Sequence, residues 1–273
     1  MKKPWIIGPG ILFLLIIILL LSAIQKPPGK RIEEGARETS NSEMLKKGGV
    51  SNTDEELIQY YEGSLGYFVK PNKEGNYPGV VMIHEWWGLN KNIKDMAEQL
   101  ASKGYIVMAV DLYYGKVAQT ADEARELVTA LNEEKALENM KVAVEFLRKN
   151  GAVKIASLGW CFGGGQSLQL ALSGQELDAT VLYYGSLKTD PEKLSVINWP
   201  VLGIFGDQDT SIPVETVNSF DSSLDTLNIE NEIYIYPGVG HAFANPSGQN
   251  YAQEETEDAW EKTLAFLDKH LKK

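Results

Sequence analysis

Six residues, Gly159-Trp160-Cys161-Phe162-Gly163-Gly164, constrain this chain more than any other stretch. They sit between a short apolar run, Val153 to Leu158, and a segment of helical character, Phe162 to Ser173. That order predicts a strand, a tight turn and a helix, with Cys161 at the apex. A backbone bent so sharply is strained, and side chains next to the apex would strike the strand and the helix. Gly159 and Gly163 remove those side chains. The turn lifts the sulfur above the C-terminal edge of a sheet and places it at a helix N-terminus, where the dipole favours negative charge. This is a glycine-x-nucleophile-x-glycine pattern with cysteine as the nucleophile. A lone cysteine is usually an inert buried thiol; its place in this turn favours a functional one.

The flanking sequence repeats the same alternation. Tyr67 to Lys70 and Tyr77 to His84 read as strands, and Asn90 to Lys103 as a helix stopped by Gly104. Tyr105 to Val110 reads as the next buried strand. Thr120 to Asn150 reads as two helices divided near Asn132, with Leu137, Met140, Val144 and Leu147 on one face of the second. Ala179 to Tyr184, Val201 to Phe205 and Glu232 to Tyr236 read as strands, and Val214 to Leu227 as a helix. Trp260, Leu264, Leu267 and Leu271 mark one face of a C-terminal helix. Short strands alternating with longer helices predict an α/β fold, a mostly parallel sheet with helices on both faces.

The start of the chain has a different character. Trp5 to Ile24 carries no charge and is long enough to cross a bilayer as a helix. No cysteine stands directly after it, which excludes a lipoprotein anchor. An uncleaved signal anchor over residues 1–25 is expected in preference to a cleaved signal peptide, since Ser22-Ala23-Ile24 is a poor cleavage site. Lysines lie on both sides of the span, so loop charge does not orient it. Residues 26–55, rich in Pro, Gly, Ser and charge, read as a flexible tether. Residues 56–273 are then one domain, about 220 residues and long enough for a large core. The expected location is membrane-anchored with an extracytoplasmic domain, or secreted if the segment is cleaved.

A thiol nucleophile needs a base, and the base needs an orienting group. Of the three histidines, His84, His241 and His270, only the last two lie beyond Cys161. His241 follows the last strand, whereas His270 lies in the final helix and is expected at the solvated surface. Asp207 and Asp209 compete for the acid in the loop after Val201 to Phe205; Asp209 is preferred for its deeper place before Ile212-Pro213. The other is expected to brace the loop through backbone N–H groups. The loop His84-Glu85-Trp86-Trp87-Gly88 follows a buried strand and is expected to supply an oxyanion donor. The N–H groups of Trp86 and Phe162 are the candidates. Glu85 would lie near the thiol, to tune it or to bond its own loop. His84, Glu85 and His241 have no metal-ligand spacing, so no metal is expected.

HEWWGLN (84–90), VDLYYG (110–115), GWCFGGG (159–165), LYYGS (182–186), FGDQDTSIP (205–213) and GVGHAFAN (238–245) together resemble the dienelactone hydrolase family, from about Gly66 to the C-terminus. The resemblance implies a single α/β-hydrolase domain with a Cys-Asp-His triad. It maps Cys161 as nucleophile, Asp209 as acid and His241 as base, and matches Glu85 to a glutamate that contacts the resting cysteine. There are departures. Asn245 stands where the family has a carboxylate-binding arginine four residues after the triad histidine, and the segment after VDLYYG is short. The type enzyme is soluble, whereas this chain opens with an apolar span.

The expected reaction is therefore acyl transfer from a small ester or lactone, without a cofactor, in a monomeric enzyme. Trp87, Tyr183 and Asn245 are the expected substrate contacts. A net charge of −11 and the absence of a basic stripe speak against nucleic-acid binding. The rival from another class is a binding or thiol-sensing protein that keeps the fold, since an unpaired thiol oxidises reversibly. A sensor needs neither Asp209 nor His241.

Overall fold

The computed structural model describes residues 53–272, so the apolar segment and most of the tether lie outside the described residues. Eight strands form one sheet in the order β1-β2-β4-β3-β5-β6-β7-β8. They are β1 (Thr53–Tyr61), β2 (Ser64–Pro71), β3 (Gly79–Ile83), β4 (Ile106–Val110), β5 (Ile155–Trp160), β6 (Ala179–Tyr183), β7 (Val201–Gly206) and β8 (Asn231–Tyr236). β2 runs antiparallel to β1 and β4, and all later pairings are parallel. The helices are α1 (Lys91–Ser102), α2 (Ala121–Thr129), α3 (Glu133–Lys149), α4 (Phe162–Leu172), α5 (Pro191–Leu194), α6 (Val214–Thr226) and α7 (Gln253–Leu271). This is an α/β-hydrolase-like fold. Among the described residues no helix is long and apolar enough to cross a membrane.

The central strands are buried on both faces, which is why they read as unbroken apolar runs. Their side chains alternate between two cores. Val80 and Met82 of β3 face a core closed by α1 and α7; Val81 and Ile83 face the other, closed by α3, α4 and α6. Fully buried Phe205, Phe220 and Phe266 each contribute roughly 1.5–3 kcal/mol by leaving water. Asn90, Thr120 and Asn132 cap α1, α2 and α3, each side chain accepting a backbone N–H of the first turn. Asn132 therefore divides the two helices because it starts the second.

β1 was not legible as a strand. It begins at Thr53, inside the stretch expected as tether, and TDEELIQYY shows water a mostly exposed face. An edge strand paired on one side buries too little to need an apolar run, and its acids discourage edge-to-edge pairing. The strand order sets the site. The chain passes from β3 to β4 on one side and returns to β5 on the other, so a crevice opens at the C-terminal ends of β3 and β5.

Candidate active site

At the end of β5 the chain turns through Cys161 at φ 54°, ψ −116° and enters α4. A non-glycine residue there costs roughly 1–3 kcal/mol and persists because its surroundings hold it. The Cys161 N–H donates to Tyr183 O at 3.0 Å. The glycines permit the approach. A Cβ on Gly159 would lie 2.1 Å from Gly163 O, and one on Gly163 would lie 2.3 Å from Ile83 O. Strand, turn and the loop after β3 are thus in direct backbone contact.

The Cys161 sulfur faces His241 Nε2 at 3.1 Å, and His241 Nδ1 faces Asp209 Oδ2 at 2.7 Å. With Nδ1–H donating to the carboxylate, Nε2 is free to take a proton from sulfur. Asp209 is 4% exposed, and its other oxygen accepts the N–H groups of Ser211 and Ile212 at 2.8 and 3.0 Å. Asp207 does not reach the histidine; it accepts the Gly238 N–H at 2.7 Å and ties the two loops together. Burial opposes charge on His241, but its bonds to Asp209 and Cys161 outweigh burial and push it up to about 10. Burial also works against ionised Asp209, yet His241 and the two N–H groups hold it below the usual carboxylate range.

Glu85 follows β3 and is 4% exposed. Its carboxylate accepts the Asn245 amide at 2.5 Å, and Asn245 Oδ1 accepts the Ser247 N–H at 2.9 Å. Glu85 therefore bonds Asn245 rather than the thiol. Burial raises it to about 7, against the opposing charge of His241 and the bond from Asn245. His84 is fully buried; Nδ1–H donates to Glu85 O at 2.6 Å, and Nε2 accepts the Leu112 N–H at 3.2 Å. With both ring nitrogens engaged, His84 is a structural residue that ties two loops. Among the described residues no three His, Cys, Asp or Glu side chains are gathered as metal ligands.

Trp86 and Trp87 are half-buried beside Glu85, their rings 5.1 Å apart. Phe162 begins α4, so its N–H is one of the helix's unpaired amides. Two expectations need correction. Tyr183, expected as a substrate contact, is 1% exposed, and its hydroxyl bonds Ala259 O and Thr263 Oγ1 under α7. As the last residue of β6 it points into the core. The next residue, Tyr184, leaves the strand at φ 36° and lays its ring against His241 at 5.3 Å. His270, expected at the solvated surface, has a side chain only 11% exposed and packs on Phe266 at 4.7 Å. The helix face formed by Phe266, Leu267 and Leu271 carries it inward.

Sequence reasoning missed Tyr184 and Tyr113. Tyr113 is 4% exposed, and its ring lies 4.7 Å from His84 and 5.7 Å from Phe162. The tyrosine pairs at 113–114 and 183–184 were visible, but not which member of each turns toward the site.

A family model described as the dienelactone hydrolase family matches residues 65–271. A relative from Saccharolobus solfataricus, named "Putative carboxymethylenebutenolidase", is 32% identical over 69% of this chain and 88% of its own length. A crystal structure of a "Putative Dienelactone Hydrolase" from Klebsiella pneumoniae is similar at 28% identity and a TM-score of 0.70, over 78% of this chain and 96% of that one. A dienelactone hydrolase-like promiscuous phosphotriesterase from metagenomic libraries shares the fold, with a TM-score of 0.73 at 23% identity over 80% of this chain and 99% of its own. The strand order, the turn at Cys161 and these matches agree: the chain belongs to the dienelactone hydrolase family and is a hydrolase of ester bonds.

Proposed function

We propose that the chain cleaves a small ester or lactone through a Cys161-His241-Asp209 triad and a thioester intermediate. The observation that carries this reading is the unbroken line from Asp209 through His241 to the Cys161 sulfur, 2.7 Å and then 3.1 Å. His241 Nε2 takes the thiol proton as sulfur attacks the carbonyl carbon. The N–H groups of Trp86 and Phe162 face the oxygen that becomes negative. The C–O bond to the leaving group then breaks, and the leaving oxygen takes its proton from His241. Water next gives a proton to His241 and its oxygen to the thioester carbonyl. The second tetrahedral intermediate expels sulfur, which recovers the proton, and the acid leaves. Trp87 forms part of the lip of the site, and Asn245 acts through Glu85.

The test is hydrolysis of p-nitrophenyl acetate and of dienelactone by the purified full chain, beside Cys161→Ala and His241→Ala. The expected result is loss of activity in both variants on any substrate the wild type turns over. Full activity in folded Cys161→Ala would end the triad reading. We also propose that the uncharged run from Trp5 to Ile24 anchors a monomeric enzyme to a membrane. Cell fractionation followed by an alkaline carbonate wash tests this; release of the protein into the wash would contradict it.

A further inference from the structure

Near the site lies a small cavity of about 170 Å³, similar in size to apolar cavities of roughly 150 Å³ that take up benzene. Its walls include Leu112, Leu127, Ala130, Leu131 and Ala136, from the segment after β4 and from α2 and α3. Most of this wall is hydrocarbon, to which Lys116 and Lys135 add the long stems of their side chains, and Asn132 and Asn139 give it a polar portion. Tyr113 also lines it, and the same ring packs on Phe162, the residue after Cys161. Tyr113 thus touches both the cavity and the residue next to the reacting cysteine.

The backbone around Tyr113 is clamped. Asp111 accepts the N–H groups of Tyr113, at 2.9 Å, and Gly115, and the Tyr113 carbonyl accepts the Lys116 N–H at 3.2 Å. The segment is also tied to the tryptophan loop, where Ala118 N–H donates to Trp87 O at 2.9 Å. The Tyr113 hydroxyl, in contrast, is buried and has no hydrogen-bond partner. Leaving a polar group in that state is costly, and such groups call for an explanation. Burial pushes this phenol far above its usual range, and the charges of Cys161 and Glu133 add to the effect. Tyr114, also part of the lining, is 46% exposed, and Val117, three residues further on, is 38% exposed.

We propose that this cavity is the pocket for an apolar acyl chain of the ester, and that Tyr113 is the wall that sets its reach toward Cys161. The inference rests on the proposed esterase reading and adds a substrate class to it: esters of linear or aryl carboxylic acids larger than acetate. An acyl chain running from the thioester carbon past Tyr113 buries methylenes against Leu127 and Leu131. Each such methylene raises kcat/KM about threefold to fourfold until the pocket is full.

The experiment measures kcat/KM for p-nitrophenyl acetate, butyrate, hexanoate and octanoate with the full chain, wild type beside Ala130→Trp and Leu127→Ala. Ala130 is solvent-exposed just after α2, so an indole there fills the cavity without entering the core. The expected result is a hexanoate-to-acetate ratio above ten in the wild type, at least tenfold lower in Ala130→Trp, and an optimum shifted to a longer chain in Leu127→Ala. A ratio near one in the wild type, or one that Ala130→Trp leaves unchanged, overturns the pocket while Cys161-dependent hydrolysis stands. A second measurement is independent of turnover: saturable binding of p-nitrophenyl hexanoate to Cys161→Ala, and its loss in Cys161→Ala with Ala130→Trp. Loss of binding supports the pocket even if the triad reading fails; equal binding by both variants overturns it.

Discussion

Two loops at the same sheet edge each bring a carboxylate to His241, and the two carboxylates behave in opposite ways. Asp209, after β7, and Glu85, after β3, are both 4% exposed. Burial works against charge on each of them. Asp209 receives two backbone N–H groups and the His241 Nδ1–H, and it is held below the usual carboxylate range. Glu85 receives one side-chain amide and rises to about 7. Depth and donors act together: the Glu85 carboxyl is enclosed more deeply and receives fewer donors, so it is the one that gives up its charge. Two carboxyls with their proton affinities pushed apart is how one site holds a fixed anion and a neutral acid near neutral pH.

Asp209→Asn attacks the charged half of the comparison and has the largest expected effect. An amide cannot fix the Nδ1–H tautomer or stabilise the imidazolium, so kcat falls roughly 10³–10⁴-fold. The pH profile sharpens the assignment. In the wild type His241 keeps the proton it takes from sulfur up to about 10, so the alkaline fall in rate is expected there, where that proton is no longer held for the leaving group. In Asp209→Asn that limb moves down toward the ordinary histidine value of ~6.5. An alkaline limb unmoved by the substitution would show that Asp209 does not control His241. The same shift has a stability sign. The contribution of His241 to folding is complete below its ordinary value and is lost as pH rises through about 10. That of Asp209 is present above the ordinary aspartate value and is lost as pH falls through its depressed one.

Glu85→Gln attacks the neutral half. A carboxyl raised to about 7 binds a proton in the folded chain that the unfolded chain has already released. Stability therefore falls as pH rises from the ordinary glutamate value toward 7, by up to about 3 kcal/mol. Glutamine keeps the shape and the acceptor for Asn245 but has no proton to lose. Denaturant midpoints of wild type and variant are expected to coincide near pH 4 and to separate in favour of the variant at pH 8. Parallel midpoints at both pH values would mean that Glu85 is not held neutral by its site.

How far the sequence could be read divides along the same lines. Cys161 and Asp209 stand just beyond buried strands and His241 just beyond the half-buried last one, each inside a run of glycine or acid whose turn chemistry has few other uses. Backbone punctuation carried that information, and the structure brings the three side chains together. The alternation of strands and helices was legible for the same reason, because β3, β5 and β7 are buried on both faces. Side-chain direction at a strand's last residue was not legible. Tyr183 and Tyr184 are identical in type and both buried, yet Tyr184, at positive φ, lays its ring against His241 while Tyr183 bonds beneath the last helix. β1 escaped because edge pairing needs no apolar run, and His270 because the apolar face of α7 is broad enough to shelter it. The Asn245–Glu85 bond joins residues 160 positions apart, a distance no local pattern spans.

That bond carries the smallest of these effects and the most specific one. Asn245 supplies the only hydrogen bond that the Glu85 carboxylate receives among the described residues. Asn245→Ala leaves the buried carboxyl without a donor, and the lost bond favoured its charged form. Glu85 should then hold its proton to a higher pH than in the wild type. The cost to folding is about 1–3 kcal/mol at neutral pH, as for other buried groups that lose a partner. Infrared absorption of the protonated carboxyl, compared with Glu85→Gln to identify the band, follows the titration directly. A midpoint above that of the wild type is the expected result. A midpoint at or below the wild-type value would mean that something other than this amide sets the state of Glu85, and the contrast with Asp209 would then rest on depth rather than on donors.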